Sequence, residues 1–119
     1  MRRFALIFAL WAPDLAVADW VKMSGKEISE ALTGRTLEYL DKDDPTQRVD
    51  TLQDFRASGK TLYTFKGRES WGNWRVENDQ YCSQWPPNDL WACYGMERDG
   101  ATLRFVGERD DITAAQYAD

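Results

Sequence analysis

The sequence predicts a mainly β domain: an antiparallel β-meander, open or closed as a small barrel, with one short N-terminal α-helix over residues 24–34. Three observations carry this. Across residues 49–106, β-like runs are separated by short segments that favour tight turns. Registers built from successive turns put the large apolar side chains on one common face. One of those registers sets Cys82 opposite Cys93, the only two cysteines in the chain.

The helix comes first in the chain. Ser24 followed by Glu27 is a capping box, and Met23 and Ile28 stand at hydrophobic-staple positions. Ile28, Ala31 and Leu32 form a short apolar stripe, and Gly34 supplies the stop. A helix of about two and a half turns does not hold alone, so it must pack on another element. The next stretch, RTLEYL, is β-like, and DKDDPTQ (residues 41–47) is a polar loop. Asp41, Asp43 and Asp44 lack the Gly and distal Glu of a calcium loop, so this acidic run reads as a solvated turn.

The strands follow. Ala57-Ser58-Gly59 suits a three-residue hairpin with Gly in the left-handed position. Gly67-Arg68, Asn78-Asp79, Pro87-Asn88 and Asp99-Gly100 are further turn centres. Centring on Asn78-Asp79 sets Val76 opposite Tyr81, Trp74 opposite Ser83 and Gly72 opposite Trp85. Centring on Pro87-Asn88 sets Trp85 opposite Leu90, Tyr81 opposite Tyr94, and Cys82 opposite Cys93. Centring on Asp99-Gly100 sets Met96 opposite Leu103 and Tyr94 opposite Phe105. Phe55, Tyr63 and Phe65 join the same face. Large residues oppose small ones, as interdigitated packing favours.

The stretch WRVENDQYCSQWPPNDLWACYG holds three of six tryptophans and both cysteines. In a domain this small, aromatics supply the most buried area, about 150–250 Å² each. A disulfide closing a loop of this size adds roughly 3 kcal/mol in the chain-entropy model. The stretch therefore reads as a core and a staple. The polar tail, residues 108–119, has only Ile112 and Tyr117 as weak anchors and is expected to be a loosely docked or frayed end.

The first residues read as a processing signal. Met1-Arg2-Arg3 is basic, and residues 4–12 are apolar but too short for a bilayer core of about 30 Å. Ala16-Val17-Ala18 fits the small-x-small cleavage pattern. Residues 1–18 are thus expected to be a signal peptide cut after Ala18, leaving one domain over residues 19–119, periplasmic or secreted. A buried N-terminal helix is the alternative. In an oxidising compartment Cys82 and Cys93 form a structural disulfide. With no histidine in the chain and no zinc spacing, a metal pair does not fit, and a redox pair would be C-x-x-C.

Charge and motifs narrow the function. The net charge of -5 argues against nucleic acid or an anionic membrane as partner, leaving a protein or a small molecule. The missing histidine removes Ser-His and Cys-His nucleophiles. Neither G-x-G-x-x-G nor a P-loop is present, so the sequence implies no nucleotide cofactor. The face of the meander opposite the apolar one carries Leu62, Asn73, Arg75, Cys82, Gln84, Trp91, Cys93 and Val106. Asn73, Arg75 and Gln84 beside the Trp91 indole are a candidate face for an anionic or carbohydrate-like ligand. The plainer reading is a half-exposed sheet surface, with Trp91 packed on the disulfide or under the helix. Trp71 and the Trp85-Pro86-Pro87 tip are candidate aromatic surfaces for a protein partner.

At GNWRVENDQYCSQWPPNDLWACY the sequence resembles a family of small secreted bacterial proteins with no established activity. These show a helix ending in L-x-G, then a meander with G-x-W, Y-C-x-x-W and a second W-x-C. The resemblance covers most of residues 19–119 and implies a compact, often lipocalin-like β fold. Some members carry a dihydrodipicolinate reductase label. That activity needs a nicotinamide-binding α/β domain, for which this chain has neither the glycine fingerprint nor the length.

A fainter similarity is to periplasmic lysozyme inhibitors, small disulfide-bonded β-barrels that present a loop with Ser-Gly, a Lys and a Tyr. Ser58, Gly59, Lys60 and Tyr63 fall loosely in that pattern, so Ser58, Gly59 and Lys60 form a candidate partner loop. Three functions are thus expected to compete: a non-catalytic binding or interaction domain, a small enzyme with a carboxylate pair in a barrel mouth, and an inhibitor of a secreted enzyme such as lysozyme.

Overall fold

The computed structural model describes residues 19–119; the expected signal peptide, residues 1–18, lies outside the described residues. The chain runs β1 (Val21–Lys22), α1 (Gly25–Leu32), β2 (Arg35–Leu40), β3 (Arg48–Phe55), β4 (Lys60–Phe65), β5 (Arg68–Glu77), β6 (Gln80–Gln84), β7 (Trp91–Asp99), β8 (Thr102–Val106) and β9 (Ile112–Tyr117). From β2 to β9 every strand pairs antiparallel with its sequence neighbour, and β9 returns to pair with β2. The result is a closed, eight-stranded, lipocalin-like barrel, with β1 added to β7 beyond the end of β6. Closure leaves no barrel strand with an unpaired edge.

The helix forms as its sequence dictates. Glu27 N–H donates to Ser24 Oγ at 3.2 Å and Ser24 N–H to Glu27 Oε1 at 2.7 Å, completing the capping box. Gly34, at φ 75, turns the chain into β2. Ile28, Ala31 and Leu32 are buried and close one end of the barrel against Met23, Leu37, Phe55, Trp74, Met96 and Leu103. Two further bonds fasten α1 there: Gly25 N–H to Asp79 Oδ1 at 2.6 Å, and Tyr117 Oη–H to the Ala31 carbonyl at 2.9 Å.

The expected central registers hold. Trp74 pairs with Ser83, Val76 with Tyr81, Tyr81 with Tyr94, and Cys82 with Cys93. Cys82 and Cys93 are joined by a disulfide on the outer wall. Asn78 and Asp79 both take positive φ (53 and 57), the geometry of a tight primed turn. Gly72 is required where it stands: a Cβ there would lie 2.5 Å from the Trp85 indole.

Four expectations need correction. The β7–β8 turn centres on Gly100-Ala101, so Met96 pairs with Phe105 and not Leu103, and Arg98 with Leu103. The β4–β5 turn centres on Lys66-Gly67, with Phe65 opposite Arg68. Each error is one residue in the turn centre and hence two in the pairing, which leaves every side chain on its expected face. Leu90, expected inside opposite Trp85, is 73 % exposed, because residues 85–90 form a loop that leaves the ladder after Gln84.

The tail is the largest correction. Residues 112–117 are no frayed end but the closing strand, with Ala115 fully buried. Asp119 then accepts from the Arg35 guanidinium and from Thr36 N–H at 3.0 Å. Few large apolar residues were needed, because β9 is held on both sides by ladders to β8 and β2.

Candidate functional site

The helix-sealed end holds the apolar core. The other end, ringed by residues 41–47, 66–67, 85–90 and 107–111, opens into a cavity of about 970 Å³. Period-2 alternation aims the cavity side chains: Thr51 and Gln53 from β3, Tyr63 and Phe65 from β4, Tyr81 and Ser83 from β6. Tyr39, Tyr94, Phe105 and, above β6, Trp85 complete an aromatic lining. Neighbouring rings are tilted or edge-on to one another: Tyr63 to Trp85 at 73°, Tyr81 to Phe105 at 66°, Tyr39 to Tyr63 at 46°, Tyr39 to Phe105 at 42° and Tyr81 to Tyr94 at 33°.

The cavity floor is polar and fully connected. Gln53, buried, accepts from Tyr39 Oη–H at 2.5 Å and donates from Nε2 to Thr61 Oγ1 at 2.9 Å and to Tyr81 Oη at 3.0 Å. Thr61 passes its own hydrogen to the Asp54 carbonyl, and Trp85 Nε1–H donates to Ser83 Oγ at 3.2 Å. Both Nε2 hydrogens of Gln53 are used, so Tyr81 receives a bond there and keeps its own proton to donate. Burial holds the Tyr39 hydroxyl well above the usual phenol range and also raises Tyr81 and Tyr63. These groups stay neutral at physiological pH and present hydroxyls, not phenolates, to the cavity.

Charge is confined to the rim. Lys42 Nζ donates to Asp111 Oδ1 at 2.8 Å, joining the β2–β3 and β8–β9 loops, and this bond raises the Lys42 pKa. Asp41 Oδ1 accepts from the N–H groups of Asp43 and Asp44, at 2.8 and 3.1 Å. The acidic run 41–44 thus shapes its own turn beside the mouth. Among the described residues no group of three or more His, Cys, Asp or Glu side chains converges as a metal site.

The expected outer face is brought together. Asn73 Nδ2 donates to Gln84 Oε1 at 2.9 Å, Lys60 Nζ to Asn73 Oδ1 at 3.2 Å, and Gln84 Nε2 to the Asp89 carbonyl at 3.0 Å. Arg75 stacks on the Trp91 ring at 3.9 Å and pairs with Glu77 at 3.1 Å. Trp91 therefore lies under an arginine on the outside of the wall, while α1 packs inside the opposite end. These polar ends serve one another, and the cavity lies on the far side of the same strands.

Ser58, Gly59 and Lys60 sit at the closed end. Gly59, at φ 94, makes the predicted three-residue turn; its carbonyl accepts from Trp74 N–H at 2.9 Å, and the Arg56 carbonyl accepts from Trp74 Nε1–H at 2.9 Å. That hairpin is pinned down on the core. Trp71 is 47 % exposed, with Arg56 over its ring.

Sequence reasoning named Tyr63, Tyr81 and Phe105 as interior but missed Gln53 and Tyr39. The signal was present: counting back from the 57–59 turn puts Gln53 on the same face as Phe55. No protein-family model matches this chain, and no curated protein or solved structure is similar to it at a significant level.

Proposed function

We propose that this protein binds a small organic ligand inside its barrel, without catalysis, in the periplasm or outside the cell. The cavity carries this reading. Protein cores pack to a density near 0.74, with few voids larger than a water. Here one end of the barrel is filled by buried apolar side chains while the other keeps about 970 Å³ under an aromatic lining. Ligand pockets typically enclose about 300–1,000 Å³, lined by aromatics with a few placed polar groups. Gln53, Tyr39, Tyr81 and Ser83 are such groups, already held in place by one another or by Trp85.

The non-catalytic reading is supported by the lining below the rim, where burial raises the Tyr39, Tyr81 and Tyr63 hydroxyls above the usual phenol range. Export is supported by the Cys82–Cys93 bond and by the signal-like pattern of residues 1–18. Asp19 N lies 3.3 Å from Asp99 Oδ2, so cleavage after Ala18 would set an α-ammonium against a carboxylate.

The test uses phenylnaphthylamine, a neutral fluorophore that brightens in apolar surroundings. The protein should bind it once per chain. Ser70→Trp, placing an indole in the mouth of the cavity, should weaken binding at least about ten-fold, a loss of about 1.4 kcal/mol. No saturable binding to the wild-type protein would end this reading.

A further inference from the structure

The negative charge of the protein gathers at the cavity mouth. The four connections ringing it carry seven carboxylates against three basic side chains. One of the three, Lys42, is neutralised by Asp111, and another, Lys66, stands over the Phe65 ring at 5.4 Å. Below this rim, among the described residues, neither a cation nor an anion lines the cavity; the walls are aromatic, aliphatic, hydroxyl or amide.

Three kinds of ligand meet this arrangement differently. An anion is repelled at the rim, and inside it meets the negative faces of the rings with no basic group to receive it. A neutral molecule gains burial alone, about 25 cal/mol per Å². A cation is drawn in by the rim, where low-dielectric walls concentrate the field. Inside, it gains cation–π attraction, about 0.5–1 kcal/mol per contact when exposed and about 2 when desolvated. Because neighbouring rings are tilted at 33–73° to one another and none of these pairs is stacked flat, a guest among them meets ring faces and not only edges. A compact ion such as ammonium would lose more hydration than the rings return. A cation that carries its charge under an apolar skin loses little hydration and gains burial as well.

We infer that the ligand of this cavity is an organic cation of low charge density, of the quaternary or aryl ammonium class. This deepens the binding function proposed above and rests on it.

The experiment compares three probes of one shape for their ability to displace phenylnaphthylamine from the full protein: phenyltrimethylammonium, its neutral isostere tert-butylbenzene, and the anion benzenesulfonate. The cation should bind at least about ten-fold tighter than the isostere at low ionic strength, with benzenesulfonate weakest. The gap should narrow with added salt, since rim charges are screened over about 10 Å at 0.1 M.

Asp43→Asn combined with Asp89→Asn and Asp110→Asn should weaken the cation by about three- to ten-fold and leave tert-butylbenzene unchanged. Tyr63→Leu, which keeps apolar bulk and removes a π face, should cost the cation more than the isostere. If tert-butylbenzene binds as well as the cation while phenylnaphthylamine is still held, the inference falls and the binding function stands. If phenylnaphthylamine is not bound at all, both fall. The wild-type comparison needs no variant, so a variant that fails to fold does not shelter the inference.

Discussion

The two ends of this barrel are made by the same strands and differ in nearly everything else. At the closed end, Phe55 meets Trp74 and Tyr81 edge-on at 5.6 and 5.7 Å, with Ile28, Leu32, Met96 and Leu103 filling the remaining space. At the open end, the next residues along the same strands, Gln53, Thr51, Tyr63 and Ser83, turn toward a cavity. The difference teaches that a small barrel can separate its tasks along its axis. Stability comes from the end that α1 seals, and the mouth is left free for the binding proposed above. In a two-layer fold of this size the two would compete for the same interior.

Substitutions at the two ends give the sharpest test. Phe55→Ala should lower unfolding stability by about 3–5 kcal/mol, the usual cost of emptying a buried aromatic site. Tyr63 is half-buried and contacts Tyr39 and Trp85, at ring distances of 6.2 and 5.8 Å. Tyr63→Ala should cost only about 1–2 kcal/mol, from its aromatic pairs, while weakening phenylnaphthylamine. Urea denaturation measures the first quantity and fluorescence titration the second. Equal stability losses at both positions would break the comparison.

How much of this was legible depended on what encodes each part. The staple and the central hairpins were readable because turn chemistry and period-2 alternation fix which residues share a face. Even the two misplaced turns left Phe65 and Phe105 on the inner face, since pairing moves in steps of two. Closure was not readable as a certainty. It depends on β9, whose sequence ITAAQY holds little large apolar surface; its attachment is a backbone property, two ladders to open edges. The cavity was hidden for a related reason. Alternation says that Tyr39, Gln53 and Tyr81 point inward, but whether they meet or leave space depends on barrel diameter and strand tilt, set by all eight strands together. The outer face was the opposite case. Asn73, Arg75, Gln84 and Trp91 were found as neighbours, but their mutual bonds follow from side-chain conformations that spacing does not determine.

Gln53 stands at the boundary between the two ends, and its replacement locates that boundary. Gln53→Leu keeps the approximate volume and strands the hydroxyls of Tyr39, Tyr81 and Thr61. The expected loss is about 1–3 kcal/mol, the cost of leaving buried polar groups unpaired. That is less than Phe55→Ala and more than a surface change, which usually stays within about 0.5 kcal/mol. A loss no larger than a surface change would mean that water entering the cavity satisfies these hydroxyls, and the floor would then belong to the open end.

The smallest effect is an acid one, and it too separates the ends. Glu27 is held below its ordinary value of 4.5, first by the Ser24 backbone N–H it accepts from, then by the Ser24 side chain. Asp119 is held below 3.8, first by the Arg35 guanidinium and then by Thr36 N–H. Both groups act at the closed end. A carboxylate whose folded pKa is depressed favours folding when ionised. Its contribution is complete above the ordinary value and disappears as pH falls through the folded one. Both side chains are exposed, so solvent screening keeps each effect small. Asp44 is also lowered, first by the Thr46 hydroxyl, but it lies in the loop at the mouth.

Melting temperature followed from about pH 6 down to about pH 2 should fall for the wild-type protein. The fall should be shallower in Glu27→Gln and in Asp119→Asn, each of which has already lost its charged bond at neutral pH. Asp44→Asn should leave the acid limb unchanged, because the 41–47 loop can open without unseating a strand. An acid limb flattened as much by Asp44→Asn as by the closed-end variants would show that the mouth loops are part of the cooperative unit, and the division of labour along the barrel axis would have to be given up.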